Sequence, residues 1–115
     1  MIDREKFNEI FAQFDKQTVV EIIDIFISEY DGRFTKLRKN VGERDFAQLQ
    51  FSAHSLKGVI ANFMDPVTIE LSRRLDEMAK NQIETGIDQV FGDLENKAGL
   101  LLDEMKKLRQ EFISS

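Results

Sequence analysis

The stretch Phe51–Phe63, FSAHSLKGVIANF, joins an apolar stripe to a second helical face that carries reactive groups. Within this stretch and at Leu49, two positions before it, apolar side chains recur at steps of three and four residues. These steps keep them on one side of a helix. These residues are Leu49, Ala53, Leu56, Ile60 and Phe63. The other side bears His54, Lys57, Gly58 and Ala61 at the same steps. The stretch therefore predicts a core helix whose outer face is a candidate site.

Length and composition limit the class of protein. The 115 residues suit one domain with one core, so we expect 1–115 to be a single domain. The absence of cysteine excludes disulfides, thiolate catalysis and cysteine-based zinc sites, and it fits a reducing compartment. A net charge of −5, from 16 basic and 21 acidic residues, disfavours general nucleic-acid binding, although a local basic patch stays possible.

Neither a secretion signal nor a membrane span is visible in the sequence. The N-terminal MIDREKF is charged where a signal peptide needs an apolar run. The most apolar stretch, Val19–Ile27, contains Glu21 and Asp24 and is too short to cross a bilayer. We therefore expect a cytoplasmic protein without membrane insertion.

Helical periodicity runs through the chain, and its interruptions divide it into five predicted helices. Their expected ranges are about Asp3–Phe14, Thr18–Lys39, Glu43–Phe63, Pro66 to the polar connection Asn81–Gly86, and Ile87–Ile113. The helix starts are predicted from side chains that accept backbone hydrogen bonds: Asp3, a Thr18–Glu21 capping box, and Asp65 followed by Pro66. The break at Asn40–Gly42 is predicted because Asn and Gly tolerate the left-handed conformation.

The apolar faces of the four longer helices predict the fold. Inward positions are expected to be Val20, Ile23, Ile27, Tyr30, Phe34 and Leu37 in the second helix, and Val67, Leu71, Leu75 and Met78 in the fourth. In the last helix they are Ile87, Phe91, Leu94, Ala98, Leu101, Met105, Leu108 and Phe112. Gly92 and Gly99 share one side, where they either admit a close neighbour or merely weaken an exposed face. The prediction is an all-α, antiparallel, up-down-up-down four-helix bundle, with the short first helix covering one end.

On the outer face of the third helix, three side chains form a consistent chemical set. The ring of His54 is a nucleophile when it is neutral. Lys57 leans back toward His54, because helical side chains point to the N-terminus, and its charge suits phosphate. Gly58 leaves a clearing beside the ring. Taken singly, the three residues are more simply a surface histidine, a solvated charge and a packing accident.

The run Ala53-His54-Ser55-Leu56-Lys57-Gly58 resembles the AHxLKG signature of histidine-containing phosphotransfer (HPt) domains, and the helix pattern resembles that family over the whole chain. The resemblance implies that His54 accepts a phosphoryl group from a receiver-domain aspartyl phosphate and passes it to another receiver aspartate. Lys57 then supports the phosphate and Gly58 gives clearance. By the same resemblance, the chain is expected to be a carrier rather than an enzyme, with Mg²⁺ supplied by the receiver.

The same resemblance implies which partners the chain has, and some positions of the chain depart from the family pattern. It implies response-regulator receiver domains and a hybrid sensor histidine kinase as partners of a monomeric carrier. Many members have small residues after the glycine and a Gly-Ala pair before the fourth helix. Here Val59 and Ile60 follow Gly58, and Met64-Asp65 takes the place of the pair.

Geometry suggests further residues that contact a partner. Gln50 and Phe51 lie one turn before His54, and Ala47 and Ala61 lie about two turns away on either side. Phe51 is either an exposed apolar contact or partly buried against a neighbouring helix. If the third and fourth helices are antiparallel, Arg73 and Arg74 border the site or are simply solvated.

Three other functions compete with phosphotransfer. A di-iron or haem site is disfavoured, because paired Glu-x-x-His motifs are absent and there is no second histidine. An autonomous enzyme is disfavoured by the lack of cysteine, of a second histidine and of a glycine-rich phosphate loop. A helical interaction module that binds a receiver or another signalling partner without transfer stays open.

Overall fold

The computed structural model describes residues 2–114, apart from the side chain of residue 10. It contains five α-helices and no strand in this range: α1 (Arg4–Phe11), α2 (Lys16–Gly42), α3 (Phe46–Ile60), α4 (Pro66–Lys80) and α5 (Ile87–Ser114). A 3₁₀ turn, Ala61–Phe63, follows α3 directly. The prediction of an all-helical chain is confirmed.

Aspartates begin four of the helices, because a side-chain carboxylate accepts from backbone N–H groups that have no partner within the helix. Asp3 caps α1 and Asp65 caps α4, as predicted. The predicted Thr18–Glu21 capping box is wrong. Asp15 caps α2 instead, and it accepts from the Thr18 backbone at 2.7 Å, which places Thr18 inside the first turn.

The connection between α2 and α3 lies further along the chain than predicted. Helix α2 continues to Gly42, and the left-handed residue is Arg44, with a φ of 54°. The side chain of Arg44 donates to the carbonyl of Val41 at 2.8 Å and pairs with Asp88 of α5, also at 2.8 Å. Contacts to a distant helix therefore fix this turn, and no local pattern indicates them.

Asn40 does not end α2, as the sequence suggested, but is a buried polar group of the core. Its Oδ1 accepts from the hydroxyl of Ser52 at 3.0 Å. A buried amide without such a partner is unfavourable. The bond therefore links α2 to α3 within the core.

The core lies where α3 packs against α2 and α4, and where α5 packs against the same two helices. The predicted inward positions of α3 are all buried, as are those of α5 from Ile87 to Leu108. In α2 the predicted Ile23, Phe34 and Leu37 are buried. Val20, Ile27 and Tyr30 are only half-buried, and Val19 and Phe26 are buried instead.

Two details of α4 and α5 differ from the sequence prediction. Val67 is 45% exposed, and Thr68 and Ser72 are buried in α4 because each hydroxyl has a hydrogen-bond acceptor nearby. The glycines of α5 do not admit a close neighbour. A Cβ at Gly92 meets nothing within 4 Å, and one at Gly99 meets only the Tyr30 hydroxyl at an ordinary 3.8 Å.

Helix α1 lies against the α3–α4 connection and the C-terminal part of α5. The backbone N–H of Asp3 donates to the Met64 carbonyl at 2.7 Å. Phe7 is fully buried, and its ring centre lies 6.4 Å from that of Phe112. The contact leaves the outer face of α3 uncovered by α1.

Candidate functional site

His54 lies near the middle of α3, and its side chain is 72% exposed. The helix is held from its other side by buried residues, among them Leu49, Ala53 and Leu56. Because the apolar stripe fixes the rotation of α3, the imidazole must project outward. The structure thus gives His54 the exposure that the sequence predicted.

Asp76 of α4, which is not among the predicted site residues, lies beside His54. Its Oδ2 is 2.9 Å from Lys57 Nζ and 3.5 Å from His54 Nδ1. The Asp76 side chain is only 15% exposed, so it lies at the base of the site. We call His54, Lys57 and Asp76 the histidine triad.

For this part of α4 the sequence predicted Arg73 and Arg74 at the border of the site, from an antiparallel packing of the third and fourth helices. The same packing brings Asp76, two positions after Arg74, near His54. Arg73 is occupied by ion pairs with Glu70 and Glu77 on its own helix. Arg74 lines a groove between α4 and α5. Within residues 2–114, neither arginine forms an ion pair or hydrogen bond with His54.

Gly58 is exposed, and a Cβ added there meets nothing within 4 Å apart from its own helix. Packing within this chain therefore does not require glycine at this position. Ala61, at the start of the 3₁₀ turn, is exposed as well. Small side chains thus leave the surface open on the C-terminal side of the histidine.

On the N-terminal side, an open hollow of about 500 Å³ adjoins the ring. We call this surface the His54 face; it is lined by Ala47, Gln50, Phe51, His54 and Ser55. Phe51 is 70% exposed, so of its two predicted environments the structure has the exposed one.

Helix α2 contributes two cations beside this surface that the sequence did not associate with the site. Lys36 Nζ lies 5.7 Å from the Phe51 ring centre, within the range of a cation–π contact. Arg33 donates to the Ser55 hydroxyl at 2.8 Å. A second hollow of about 200 Å³ separates α2 from α3 here. The acidic chain therefore carries a local basic border next to His54.

The described residues were also compared with the requirements of a metal site and of a membrane span. No cluster of three or more His, Cys, Asp or Glu side chains suited to a metal ion is found among them. Over the same range, no helix has both the length and the apolar character needed to cross a membrane.

The fold and the site define a class: an all-helical domain that presents one exposed histidine beside a lysine and a glycine on a core helix. A family model described as the Hpt domain matches residues 21–111. The chain therefore belongs to the Hpt domain family, whose members carry phosphoryl groups on histidine in phosphorelays and interact with receiver domains. Comparison with curated proteins and with solved structures gave no match.

Proposed function

We propose that this chain is a phosphorelay carrier in which His54 accepts a phosphoryl group from a receiver aspartyl phosphate and donates it to another receiver aspartate. The observation that carries the proposal is the exposed His54 within the AHxLKG run of a chain that matches the Hpt family. Such a carrier is not an enzyme in its own right, because it turns over only together with its partners.

The neighbours of His54 suit this chemistry. Lys57 is a cation within one turn of the ring, so its ammonium can contact the oxygens of a phosphoryl group on His54. Gly58 leaves room for the partner to approach. The Mg²⁺ that phosphoryl transfer needs is expected on the receiver, and no cofactor is assigned to this chain.

The His54 face is the proposed docking surface for the receiver. Phe51 supplies exposed apolar area, Gln50 supplies an amide, and Ala47 adds little bulk. Ala61, on the other side of His54, leaves that side open for a partner to come close. Exposed aromatic residues at such positions commonly dominate binding energy. The basic border from α2 suits an acidic partner surface.

We also propose the order of the helices in the bundle, the location of the protein and the source of its phosphoryl group. An antiparallel, up-down-up-down order of α2 to α5 is supported by ion pairs whose order along α2 and the turn after it is the reverse of their order along α5: Asp24 with Arg109, Arg38 with Glu95, and Arg44 with Asp88. The contacts of α1 suit a cover over one end of the bundle. A single monomeric domain, a cytoplasmic location and a hybrid sensor kinase as phosphoryl source complete the proposal.

The experiment mixes the protein with a phosphorylated receiver domain and Mg²⁺, and it measures acid-labile, base-stable phosphate on the chain. The wild type should become labelled, and His54→Gln should not. Because the side chain is mostly exposed, the variant should keep its helical circular dichroism spectrum and melting temperature. Labelling of His54→Gln at the wild-type rate contradicts the proposal.

The alternative is an interaction module that binds receivers without accepting phosphate. The same experiment separates the two functions when receiver binding is measured alongside labelling. A wild-type chain that binds the receiver yet stays unlabelled, across several receiver domains, would favour the interaction module.

A further inference from the structure

The side of the bundle formed by α4 and α5 carries a continuous groove that the proposed transfer does not use. It consists of two hollows of about 540 and 600 Å³, and Val67 of α4 and Lys97 of α5 line both of them. Along α5 the lining residues run from Asp93 to Lys107, a distance of about 21 Å at roughly 1.5 Å per residue. We call this surface the α4–α5 groove.

The α4–α5 groove is separate from the histidine. No residue that lines it also lines either hollow beside His54. Arg74 lines the groove, whereas Asp76 contacts His54. These two residues of α4 are two positions apart, so their side chains leave the helix about 200° apart. A partner bound in the groove therefore leaves the His54 face free.

Two exposed aliphatic side chains face each other across the groove. Leu100 of α5 is 63% exposed and Val67 of α4 is 45% exposed, and both line the hollow of about 540 Å³. The start of α4 reverses the usual pattern of a surface helix, because the hydroxyl residues Thr68 and Ser72 are buried while Val67 is exposed. A concave surface with adjacent aliphatic groups suits an apolar side chain of a partner.

The charged side chains around these aliphatic groups leave an excess of positive charge. Arg74, Lys97 and Lys107 line the groove, and within residues 2–114 none of them forms an ion pair or a side-chain hydrogen bond. Arg4 also lines it, but its guanidinium is paired with Glu111 at 2.9 Å. Three cations are therefore available to a partner.

The carboxylates that line the groove are mostly engaged. Three of the four have partners: Glu70 with Arg73, Asp93 with Gln89, and Glu104 with the backbone N–H of Ile2. Asp103 is the fourth, and it has no such contact in the described part of the chain. The groove thus presents more available positive than negative charge, although the whole chain has a net charge of −5.

We propose that the α4–α5 groove binds an amphipathic helix of another protein, with aliphatic side chains on one face and acidic side chains along its edges. A groove between two helices accepts the side-chain ridge of a third. An aliphatic side chain of the partner lies between Val67 and Leu100, and its carboxylates face Lys97, Arg74 and Lys107. An extended segment is disfavoured, because the described residues contain no strand whose edge it could join.

Such an interaction is a function in addition to phosphoryl transfer. It holds the carrier beside a protein other than the receiver, while the His54 face stays free to exchange one receiver for another. Binding in the groove involves neither His54 nor a phosphoryl group. The inference therefore does not depend on the proposed function, and each can fail without the other.

The probes are fluorescein-labelled helical peptides of about four turns, or roughly 15 residues. Each has Leu, Ile or Phe at steps of three and four residues and glutamates on both sides of this stripe, and each has a twin with lysine in place of glutamate. Fluorescence anisotropy with the whole chain gives the dissociation constants. At least one glutamate peptide should bind, and its lysine twin should bind at least tenfold more weakly. Absence of binding by every glutamate peptide, or equal binding by the twins, would overturn the proposal.

Two pairs of variants locate the bound peptide. Lys97→Glu should weaken its binding about tenfold or more, whereas Lys106→Glu, the same charge change about 180° around α5, should not. Leu100→Ala should weaken it about tenfold, whereas Phe51→Ala on the His54 face should not. Circular dichroism and thermal unfolding check that all four variants stay folded. Equal dissociation constants within either pair, or a loss confined to Lys106→Glu or Phe51→Ala, would contradict binding in the groove.

Two further measurements test other occupants of the groove. Sedimentation velocity should show a monomer at the concentrations of the peptide assay, and phosphatidylglycerol vesicles should not bind the chain. Self-association that Leu100→Ala abolishes would identify a second copy of the chain as the occupant. Vesicle binding that Lys97→Glu abolishes would identify an anionic lipid surface instead. Either result would overturn the proposal of an acidic helix.

Discussion

At the scale of single residues, the site depends on the exposed ring of His54 and on the missing side chain at Gly58, both on α3. His54 is exposed because the apolar stripe of α3 takes up the opposite side of the helix. Gly58, one turn later, is unusual because glycine weakens a helix interior by about 1 kcal/mol relative to alanine. No packing contact within the described chain explains it. Clearance for a partner is the reason proposed above.

Substituting leucine for Gly58 tests that reason. A leucine here points back toward His54 and should slow phosphoryl transfer about tenfold or more, while the restored helix propensity adds about 1 kcal/mol to the free energy of unfolding. Transfer assays and thermal unfolding measure the two effects. Gly92→Leu is the control, because Gly92 is also helical and exposed, and a Cβ added there likewise meets nothing within 4 Å. Equal transfer by both variants would remove clearance as the explanation.

At the scale of the helices, the α3–α4 connection decides how Asp76 meets His54. The helical path ends at Met64, which adopts a φ of 56°, a conformation more usual for glycine. Asp65 then begins α4. Its carboxylate is buried and accepts from the backbone of Val67 and Thr68 and from the Thr68 hydroxyl. Burial by itself raises the pKa of Asp65, but hydrogen bonds such as those from Thr68 outweigh it and hold the pKa below its ordinary value of 3.8.

Removal of this cap should destabilise the bundle. Asp65→Ala should lower the free energy of unfolding by about 1–2 kcal/mol, because the first turn of α4 loses its acceptor and a buried hydroxyl loses a partner. Urea unfolding measures the difference. Asp65→Asn, which can still cap, should lose less than Asp65→Ala. An alanine variant as stable as wild type would show that the cap is unimportant.

The same carboxylate gives a pH dependence with a definite sign. A carboxyl with a lowered pKa in the folded state stabilises the fold above the pKa of the unfolded chain, and this contribution is lost as the pH falls through the folded-state value. The stability advantage of wild type over Asp65→Asn should therefore be constant near neutral pH and shrink below about pH 4. Urea unfolding across this range measures it. An advantage that grows on acidification would contradict the assignment.

At the scale of the whole molecule, the His54 face on α3 is bordered by residues of α2. Phe51 comes from α3, and the cations beside it, Lys36 and Arg33, come from α2. The exposed aromatic ring therefore lies within a basic border, although the chain as a whole is acidic. An apolar contact surrounded by charge suits a partner that must bind and leave again.

Phe51→Ala should weaken receiver binding about tenfold, because an exposed aromatic ring at the centre of an interface often contributes more than 1 kcal/mol. The melting temperature should hardly change, since most of the ring is already exposed. Titration calorimetry or fluorescence anisotropy with a receiver domain gives the dissociation constant. Leu100→Ala on α5 is the control, because Leu100 is 63% exposed but lies away from the His54 face. Equal dissociation constants for both variants would exclude Phe51 from the interface.

Local sequence patterns predicted the all-helical class, the inward stripes of α3 and α5, the Asp65 cap and the exposure of His54. Each of these depends on residues within a few turns of one another, where helical spacing is fixed by backbone geometry. The start of α2 was missed because Asp15 and Thr18 both suit a cap, and three of the six inward positions predicted for α2 are only half-buried. Where local helix propensities are similar, tertiary packing decides where a helix starts and which face turns inward.

The sequence by itself singled out His54 as the proposed phosphoacceptor, because the chain has one histidine and the helical period turns it outward. Only the tertiary structure decided what surrounds that histidine. Asp76 and Lys36 lie on other helices, and their positions depend on how α4 and α2 pack against α3. The rotation and height of one helix against another follow from many small packing and ion-pair terms, such as Arg44 with Asp88, which no local pattern encodes.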